Sequence, residues 1–299
     1  MKPGIGARLL PALVATGLAT LLLPTVWAVA GIPRCFGERA TIVGTARGEV
    51  IRGTPRADVI VALGGADVIN GRGGNDRVCA GRGNDRIVAG AGIFDVLFGQ
   101  SGDDELLGGG GYDVLLGGSG DDLVDGGGGG FDVASFYFAP GPATVDLAAG
   151  TATGEGSDVL QAVEQVEGSR FNDTITGDAG ANAFYADGGD DVIIGGDGSD
   201  TIAYIFATGA VTVDLAAGTA TGEGSDSLTG VENVDGSDFD DTISGDAGPN
   251  TITGGSGDDV INGADGNDLL DGGGGSDTLD GGAGTDTCSN GEAISNCEY

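Results

Sequence analysis

Carboxylates recur along this 299-residue chain at a spacing of nine or ten residues, and the chain has no histidine. We call these recurring places ladder positions. They are Asp58, Asp67, Asp76, Asp85, Asp95, Asp104, Asp113, Asp122 and Asp132, then Asp173, Asn182, Asp191 and Asp200, then Asp241, Asn250, Asp259, Asp268, Asp277 and Asp286. Acidic sites without imidazole suit hard cations, which prefer oxygen ligands. The spacing therefore indicates cation binding.

Glycines frame the ladder positions. The hexapeptide GGxGxD occurs at 108–113, 117–122, 127–132, 195–200, 254–259, 272–277 and 281–286. Glycine adopts positive φ readily, so such a hexapeptide can form a tight turn whose carbonyl groups point inward. Each turn would then place a carboxylate beside several carbonyl oxygens.

An apolar residue or a cysteine stands two positions after every ladder residue, as in Ile60, Leu106 and Ile261. Side chains alternate along a strand, so this residue is buried and its two neighbours face outward. The unit GGxGxDxUx, with U apolar, therefore predicts one turn and one short strand. Two units, or 18 residues, close one coil, and stacked coils form two parallel sheets.

Stacked partners lie 18 positions apart, so the carboxylates form two rows and not one. In the first block one edge carries Asp58, Asp76, Asp95, Asp113 and Asp132, and the other carries Asp67, Asp85, Asp104 and Asp122. In the third block Asp241, Asp259 and Asp277 share one edge, and Asn250, Asp268 and Asp286 share the other. One core side chain per nine residues is too little to offset the ordering entropy. We expect interactions in the turns to supply the remaining free energy of folding.

From about residue 50 to 288 the repeats resemble the RTX or haemolysin-type calcium-binding nonapeptides. The resemblance implies an all-β fold, a parallel β-roll (β-helix solenoid), with several Ca²⁺ ions between turns stacked on one edge. Aspartate carboxylates and backbone carbonyls would hold each ion. The metal ligands that it implies are Asp76, Asp85, Asp95, Asp104, Asp113, Asp122, Asp132, Asp173, Asp191, Asp200, Asp241, Asp259, Asp268, Asp277 and Asp286.

Four ladder positions are expected to form weak sites or none. Asn182 and Asn250 keep an oxygen but lose the charge, so we expect weaker sites there. The hexapeptides that end at Asp58 and Asp67, GTPRAD and ALGGAD, lack the glycine frame. We expect these two residues to belong to a cap coil and not to strong sites.

Two longer modules interrupt the nonapeptides. The sequence TVDLAAGTATGEGSD occurs at 144–158 and again, unchanged, at 212–226. TVDL and TATG alternate like a strand pair turned at AAG, which predicts a wider coil or hairpin within the same stack. The solenoid is expected to resume at Glu164 and Glu232. A ligand-binding insert is the alternative interpretation.

The charge distribution excludes one class of partner. The formal net charge is −34, and 11 of the 12 basic residues lie at or before Arg86. A phosphate backbone requires a basic surface, so nucleic acid is excluded as a partner. High charge with few large apolar residues is typical of a chain that stays disordered until something neutralises it. A cation would do so.

The first 30 residues resemble a targeting segment. Lys2 and Arg8 precede an almost wholly apolar run from residue 9 to 27, and Ala28-Val29-Ala30 offers small residues for cleavage. This pattern predicts a secretory signal peptide over 1–30 and a secreted, extracellular protein with no membrane attachment after cleavage. An uncleaved membrane anchor is the alternative.

The four cysteines suit an oxidising compartment. Three pairings exist for four cysteines. Sequence positions favour Cys35 with Cys79 and Cys288 with Cys297, which would fasten both ends of the fold. Thiols bound to a metal are the alternative, which the lack of CxxC and of histidine disfavours.

Catalysis is not expected. Without histidine the chain lacks an HExxH protease motif, a Ser-His-Asp triad and a Cys-His pair. Adjacent acids such as Asp103 and Asp104 could in principle cleave a glycoside, but they recur as repeat positions without a cleft. Phe94, Tyr112 and Phe131 are expected to stack along one edge, as packing or as a strip that binds sugar.

These observations predict a secreted protein that binds calcium and folds when it does so. The alternative is an extracellular structural or adhesive protein in which calcium only rigidifies the solenoid, with an unidentified cell-surface, polysaccharide or matrix partner. The predicted segments are a signal peptide (1–30), an N-terminal cap (31–57), a first repeat block (58–136), two module-plus-repeat segments (137–204 and 205–287) and a C-terminal disulfide cap (288–299).

Overall fold

The computed structural model describes residues 32–298, and within that range it contains β-strands and turns but no helix. The chain winds into a parallel β-solenoid of about 14 turns with about 18 residues per turn, as predicted. Since no helix occurs between Ile32 and Glu298, this part of the chain holds no helical membrane span. The predicted signal peptide lies outside the described residues.

A short antiparallel hairpin precedes the solenoid. Its strands are β1 (Arg34–Cys35) and β2 (Glu38–Arg39). Cys35 pairs with Cys79, so this hairpin is fastened to the outside of the third coil. The predicted pairing is confirmed.

Two sheets form the walls of the solenoid. Sheet I contains, in spatial order, β3 (Ile42–Val43), β5 (Val59–Val61), β7 (Arg77–Arg82), part of β8 (Arg86–Ser101), part of β9 (Glu105–Ser119), β11 (Val133–Ser135), β15 (Gln165–Glu167), β17 (Ala183–Tyr185), β19 (Thr201–Ala203), β23 (Asn233–Asp235), β25 (Thr251–Ser256), β28 (Leu269–Gly274) and β31 (Thr287–Ser289).

Sheet II lies opposite and has more strands. It contains β4 (Val50–Arg52), β6 (Val68–Gly73), the other parts of β8 and β9, β10 (Leu123–Gly128), β14 (Ser157–Gln161), β13 (Thr151–Thr153), β12 (Thr144–Asp146), β16 (Thr174–Thr176), β18 (Val192–Ile194), β22 (Ser225–Thr229), β21 (Thr219–Thr221), β20 (Thr212–Asp214), β24 (Thr242–Ser244), β26 (Val260–Asn262), β29 (Thr278–Asp280) and β32 (Ala293–Ser295). Two further short strands, β27 (Asp265–Gly266) and β30 (Ala283–Gly284), pair where two turns stack.

The strands pair in the register that the repeats predict. Leu97 lies opposite Leu115, and Ile175 lies opposite Ile193, one coil later. From Ile60 to Leu279 the U residues are at most 3% exposed, so they form one continuous core between the sheets. Burial of each such side chain contributes about 1.5–3 kcal/mol, and the core is only one side chain wide per strand.

Each module is a three-stranded antiparallel insertion. β12 pairs antiparallel with β13, as predicted for a hairpin turned at AAG, and β13 pairs antiparallel with β14. β14 then continues the parallel stacking on β10. The second module repeats this arrangement with β20, β21 and β22.

A second apolar layer covers the outside of sheet I. Val96, Val114, Leu116 and Val133 are buried there beneath half-buried aromatic residues. Phe98 stacks between Phe36 and Phe138, with ring centroids 5.9 Å apart on each side. The solenoid therefore has apolar packing on both faces of sheet I along its first half.

Candidate metal centres

The ladder aspartates lie at the ends of the glycine turns and are buried. From Asp67 to Asp286 each is at most 3% exposed. Their Oδ1 atoms accept a hydrogen bond from the backbone N–H of the preceding residue in the same row, as in Asp104 N–H to Asp122 Oδ1 over 2.7 Å and Asp241 N–H to Asp259 Oδ1 over 2.8 Å. These bonds run between residues 18 positions apart, so the prediction of two rows is confirmed.

The second carboxylate oxygen has a different environment. Within residues 32–298, Oδ2 is buried and accepts no hydrogen bond in the following predicted ligands: Asp76, Asp85, Asp95, Asp104, Asp113, Asp122, Asp191, Asp200, Asp259, Asp268, Asp277 and Asp286. Asp67, which we expected to belong to a cap coil, shares this property. Leaving buried carboxylate oxygens unpaired is costly, and a cation is the partner that would satisfy a whole row of them.

In most turns the first residue is a glycine that makes room for this oxygen, and Ala62, Ala80 and Ala186 hold this place in three others. A Cβ atom on Gly108 would lie 2.5 Å from Asp113 Oδ2 and 2.6 Å from the carbonyl oxygen of Gly126 in the next coil. On Gly254 it would lie 2.3 Å from Asp259 Oδ2 and 2.6 Å from Gly272 O. Oxygens from two stacked coils thus converge on a space that a side chain would fill, which suits a cation with many oxygen ligands.

The second position of most turns has a left-handed backbone. Gly109 has φ 104° and Gly118 has φ 94°. Where the sequence places Arg72 or Gln100 at this position, the residue still adopts φ near 80°. The turn shape is therefore kept even in copies with an imperfect glycine frame, at a conformational cost to the non-glycine residues.

Burial raises the pKa of several ladder carboxylates. It raises the pKa of Asp113 to about 7, with a smaller contribution from the charges of Asp95 and Asp132, while the backbone hydrogen bond acts in the opposite direction. The same cause raises the pKa of Asp104 and of Asp191 to about 7. A row of such groups cannot hold full charge without a nearby positive ion.

Two predicted ligands, Asp173 and Asp241, differ from the others. The backbone N–H of Ser169 donates to Asp173 Oδ2 over 2.5 Å, and the Ser169 hydroxyl donates to Oδ1 over 2.7 Å. Ser237 binds Asp241 in the same way. Both aspartates therefore have their oxygens satisfied within their own turns, and Thr54 in the same way satisfies Oδ2 of Asp58.

Asn182 and Asn250 also start rows. Their side-chain oxygens accept the backbone N–H groups of Asp178 and Asp246, within their own turns. The remaining predicted ligand, Asp132, occupies its expected place, where Oδ1 accepts from Asp113 N–H. Apart from the row that starts at Asp67, the rows thus begin at locally satisfied side chains and continue through aspartates with a free Oδ2.

Each row ends at an acid that the nonapeptide pattern does not mark. Glu164 and Glu232, at which the solenoid was expected to resume, accept the N–H groups of Asp132 and Asp200, which confirms their place in the stack. At the C-terminus Glu292 and Glu298 do the same for the last aspartate of each row. These last two glutamates were not predicted from the sequence, because neither follows a glycine turn.

Asp158 and Asp226 are ladder residues that sequence reasoning also missed. Their Oδ1 atoms accept from Asp122 N–H and Asp191 N–H over 3.1 and 3.2 Å. The signal was present in GEGSD, which spells GxGxD, with Leu160 or Leu228 two positions later. The irregular spacing of 35 or 36 residues from the preceding ladder position concealed it.

The side chains alone do not build a metal site. Among the described residues, no three Asp, Glu, Cys or His side chains lie close enough together to hold a metal ion. The described cysteines are all paired, the second pair being Cys288 with Cys297 as predicted, which removes the alternative of thiol ligands. A cation in these turns would need backbone carbonyl oxygens in addition to one or two carboxylates.

Comparison with known families agrees with this geometry. The RTX calcium-binding nonapeptide repeat matches the chain at residues 43–78, 52–87, 95–130, 167–202, 235–270 and 254–288. Comparison with curated proteins gives no match. The matched residues make up more than half of the sequence and coincide with the stacked turns, so the chain belongs to the RTX calcium-binding repeat family.

Proposed function

We propose that this is a secreted calcium-binding protein whose solenoid forms when calcium occupies the ladder turns. The family and the solenoid support calcium binding. The observation that carries the proposal is the row of buried Oδ2 atoms without hydrogen-bond partners. Bound calcium supplies positive charge and takes about six to eight oxygen ligands.

The proposed ligands are the ladder aspartates with a free Oδ2, together with carbonyl oxygens of the stacked glycine turns. Asp173 and Asp241 are weaker candidates, because Ser169 and Ser237 already bind their carboxylates. Asp132 remains a candidate by its place in the row. Asp67 joins the proposed set, since its Oδ2 is buried without a partner.

Folding is proposed to depend on calcium because the apolar core alone is too small to stabilise the solenoid. The core is one side chain wide, and 64 glycines raise the entropy lost on ordering. Stacking also brings like charges together, since Asp95 and Asp132 both raise the pKa of Asp113. The free energy of binding is therefore expected to appear as free energy of folding.

Circular dichroism of the whole chain, first with EGTA and then with millimolar calcium, tests the proposal. We expect strand signal to appear with calcium. Asp104→Asn should raise the calcium concentration at the midpoint, whereas Asp197→Asn, which removes the same charge at an exposed position, should not. A strand-rich spectrum that is unchanged by calcium would overturn the proposal.

Export is proposed on two grounds. RTX repeat proteins are typically secreted, and the two disulfides suit an oxidising compartment. N-terminal sequencing of the protein recovered from its native cells is expected to begin at Gly31. A chain that retains Met1 in the cytosol would contradict export.

The chain's carboxylates are proposed to act as ligands and not as catalysts, because they recur as equivalent positions along a repetitive edge. An adhesive or structural role is the second candidate. It is favoured by the half-buried aromatic row of Phe36, Phe98 and Phe138 on the outside of sheet I. Pull-down with polysaccharide or matrix, before and after these residues are replaced by serine, would separate the two roles.

A further inference from the structure

The two modules each contain a turn that stacks like a nonapeptide turn. In the first module, the backbone N–H of Gly120 donates to Glu155 O over 3.2 Å, and Ser157 N–H donates to Asp121 Oδ1 over 2.9 Å. At the next residue of each turn, Asp122 N–H donates to Asp158 Oδ1 over 3.1 Å. The turn at 153–158 therefore occupies the place of the next repeat after 117–122.

The second module repeats this arrangement. Gly189 N–H donates to Glu223 O over 3.0 Å, and Asp191 N–H donates to Asp226 Oδ1 over 3.2 Å. Both turns read TGEGSD, and both lie between the segments that match the repeat family, which end at 130 and 202 and resume at 167 and 235. The same stacking therefore occurs twice outside the recognised repeats.

The nonapeptide turn at each junction holds a buried oxygen without a partner. Asp122 is 2% exposed and Asp191 is 1% exposed, and Oδ2 of each accepts no hydrogen bond from the described residues. The stacked turns approach so closely that a Cβ on Gly156 would lie 1.6 Å from Gly120 O, and one on Gly224 would lie 1.5 Å from Gly189 O. The backbones of two turns are therefore in close contact at each junction, where the carboxylates of Asp158 and Asp226 accept the N–H groups of Asp122 and Asp191.

The first junction carries an additional acid. Burial, together with the smaller effects of the Asp158 and Asp122 charges, raises the pKa of the Glu155 carboxyl to about 7. Asp158 itself is only 5% exposed. The charges of Glu155, Asp158 and Asp122 thus act on one another at the first junction.

We propose that each TGEGSD turn completes an additional calcium site with the nonapeptide turn on which it stacks. Asp122 and Asp158 are the carboxylate ligands at the first junction, and Asp191 and Asp226 at the second. Because no three acidic side chains in residues 32–298 can hold a metal by themselves, carbonyls of both turns complete the shell. The inference rests on the proposed function of the nonapeptide turns.

The two junctions differ in how free their acids are. In the second, the Tyr204 hydroxyl donates to Asp226 Oδ2 over 3.1 Å, and Thr208 N–H donates to Glu223 Oε1 over 3.1 Å. The corresponding residues of the first module are Phe136 and Pro140, which have no such donors. The first junction is therefore the tighter calcium site, because its acids need not exchange a hydrogen bond for the ion.

Native mass spectrometry of the whole chain at graded calcium concentrations tests the inference. Asp158→Asn and Asp226→Asn should each bind one ion fewer than the unchanged protein, since asparagine keeps the Oδ1 acceptor but loses the charge. Tyr204→Phe should tighten the second junction about tenfold, and Phe136→Tyr should weaken the first by a similar factor. Circular dichroism in calcium verifies that each variant is folded.

Asp104→Asn serves as the reference variant in a nonapeptide turn. If the unchanged protein binds no calcium, the proposed function itself fails. If Asp104→Asn loses an ion while Asp158→Asn and Asp226→Asn keep full stoichiometry and affinity, the nonapeptide sites stand and the junction sites are overturned. Should the asparagine variants fail to fold, an unchanged calcium affinity in Tyr204→Phe overturns the inference.

Discussion

The backbone N–H of Asp95 donates to Oδ1 of Asp113, 18 residues later, over 2.9 Å. This bond uses one oxygen of the Asp113 carboxylate to hold two coils together. The other oxygen, Oδ2, is buried without a hydrogen-bond partner in the described part of the chain. The two oxygens of one side chain thus have separate roles, one in stacking and one toward a cation.

This separation makes Asp113→Asn an informative variant. Asparagine can keep the Oδ1 acceptor but removes the charge, so in saturating calcium we expect the free energy of unfolding to fall by about 1–3 kcal/mol. Urea unfolding in saturating calcium measures this. The exposed variant Asp197→Asn is the control, and equal effects of the two variants would contradict the assigned roles.

Gly108→Ala should damage a calcium site, whereas Gly110→Ala in the same turn should not. A Cβ on Gly108 would lie 2.5 Å from Asp113 Oδ2 and 2.6 Å from Gly126 O, but on Gly110 its nearest neighbour is Gly128 O at 3.5 Å. We expect the first variant to need more calcium to fold and the second to resemble the parent. Calcium titrations followed by circular dichroism compare them. Identical midpoints would show that the space beside Gly108 is not a calcium site.

Acid should favour the calcium-free fold. Burial raises the pKa of Asp76, Asp104 and Asp122 to about 7, above the ordinary value of 3.8. A carboxyl with a raised pKa stabilises the fold below the unfolded-state pKa, and this contribution disappears as the pH rises toward the folded-state pKa. In metal-free buffer we therefore expect strand content to fall between about pH 4 and pH 7.

Calcium should reverse that pH dependence, because protons and calcium compete for the same oxygens. Calcium affinity is expected to rise as the pH increases toward 7, with protons released on binding. Titrations in two buffers of different ionisation enthalpy would count these protons. Binding without proton release below pH 6 would show that the ladder carboxylates are not the ligands.

The two disulfides should contribute unequally. Cys35 and Cys79 are 44 residues apart, and Cys288 and Cys297 are nine apart. Loop-closure entropy predicts stabilisation of about 4 kcal/mol for the first and about 3 kcal/mol for the second. Paired alanine substitutions, compared by urea unfolding in saturating calcium, test the order. A larger loss from the C-terminal pair would contradict it.

The repeat register was predictable because glycine, aspartate and one apolar residue fix the turn, the row and the core in every copy. Ile175 and Ile193, for example, face each other as the spacing requires. The hydrogen bonds that satisfy the first aspartate of a row within its own turn were not predictable in this way. Ser169 binds Asp173 through both its backbone and its hydroxyl, and nothing in the aspartate's own spacing marks that contact.

The modules exceeded what periodicity could reveal. The alternation of side chains predicted the hairpin at AAG. It did not predict that β14 pairs with β10, because the two strands are 36 residues apart, which is the length of two coils. Asp158 and Asp226 were concealed for the same reason. The closing residues Glu292 and Glu298 occupy ladder places without a glycine frame, so only the folded register identifies them.

The modules have a consequence for the direction of the stack. Between β14 and β16, sheet II gains β13 and β12, while sheet I passes directly from β15 to β17. Neighbouring strands are about 4.8 Å apart, so each module lengthens one wall by about 10 Å relative to the other. The second module lengthens the same wall, so we expect the two modules to bend the stack in the same sense, with sheet II on the convex side.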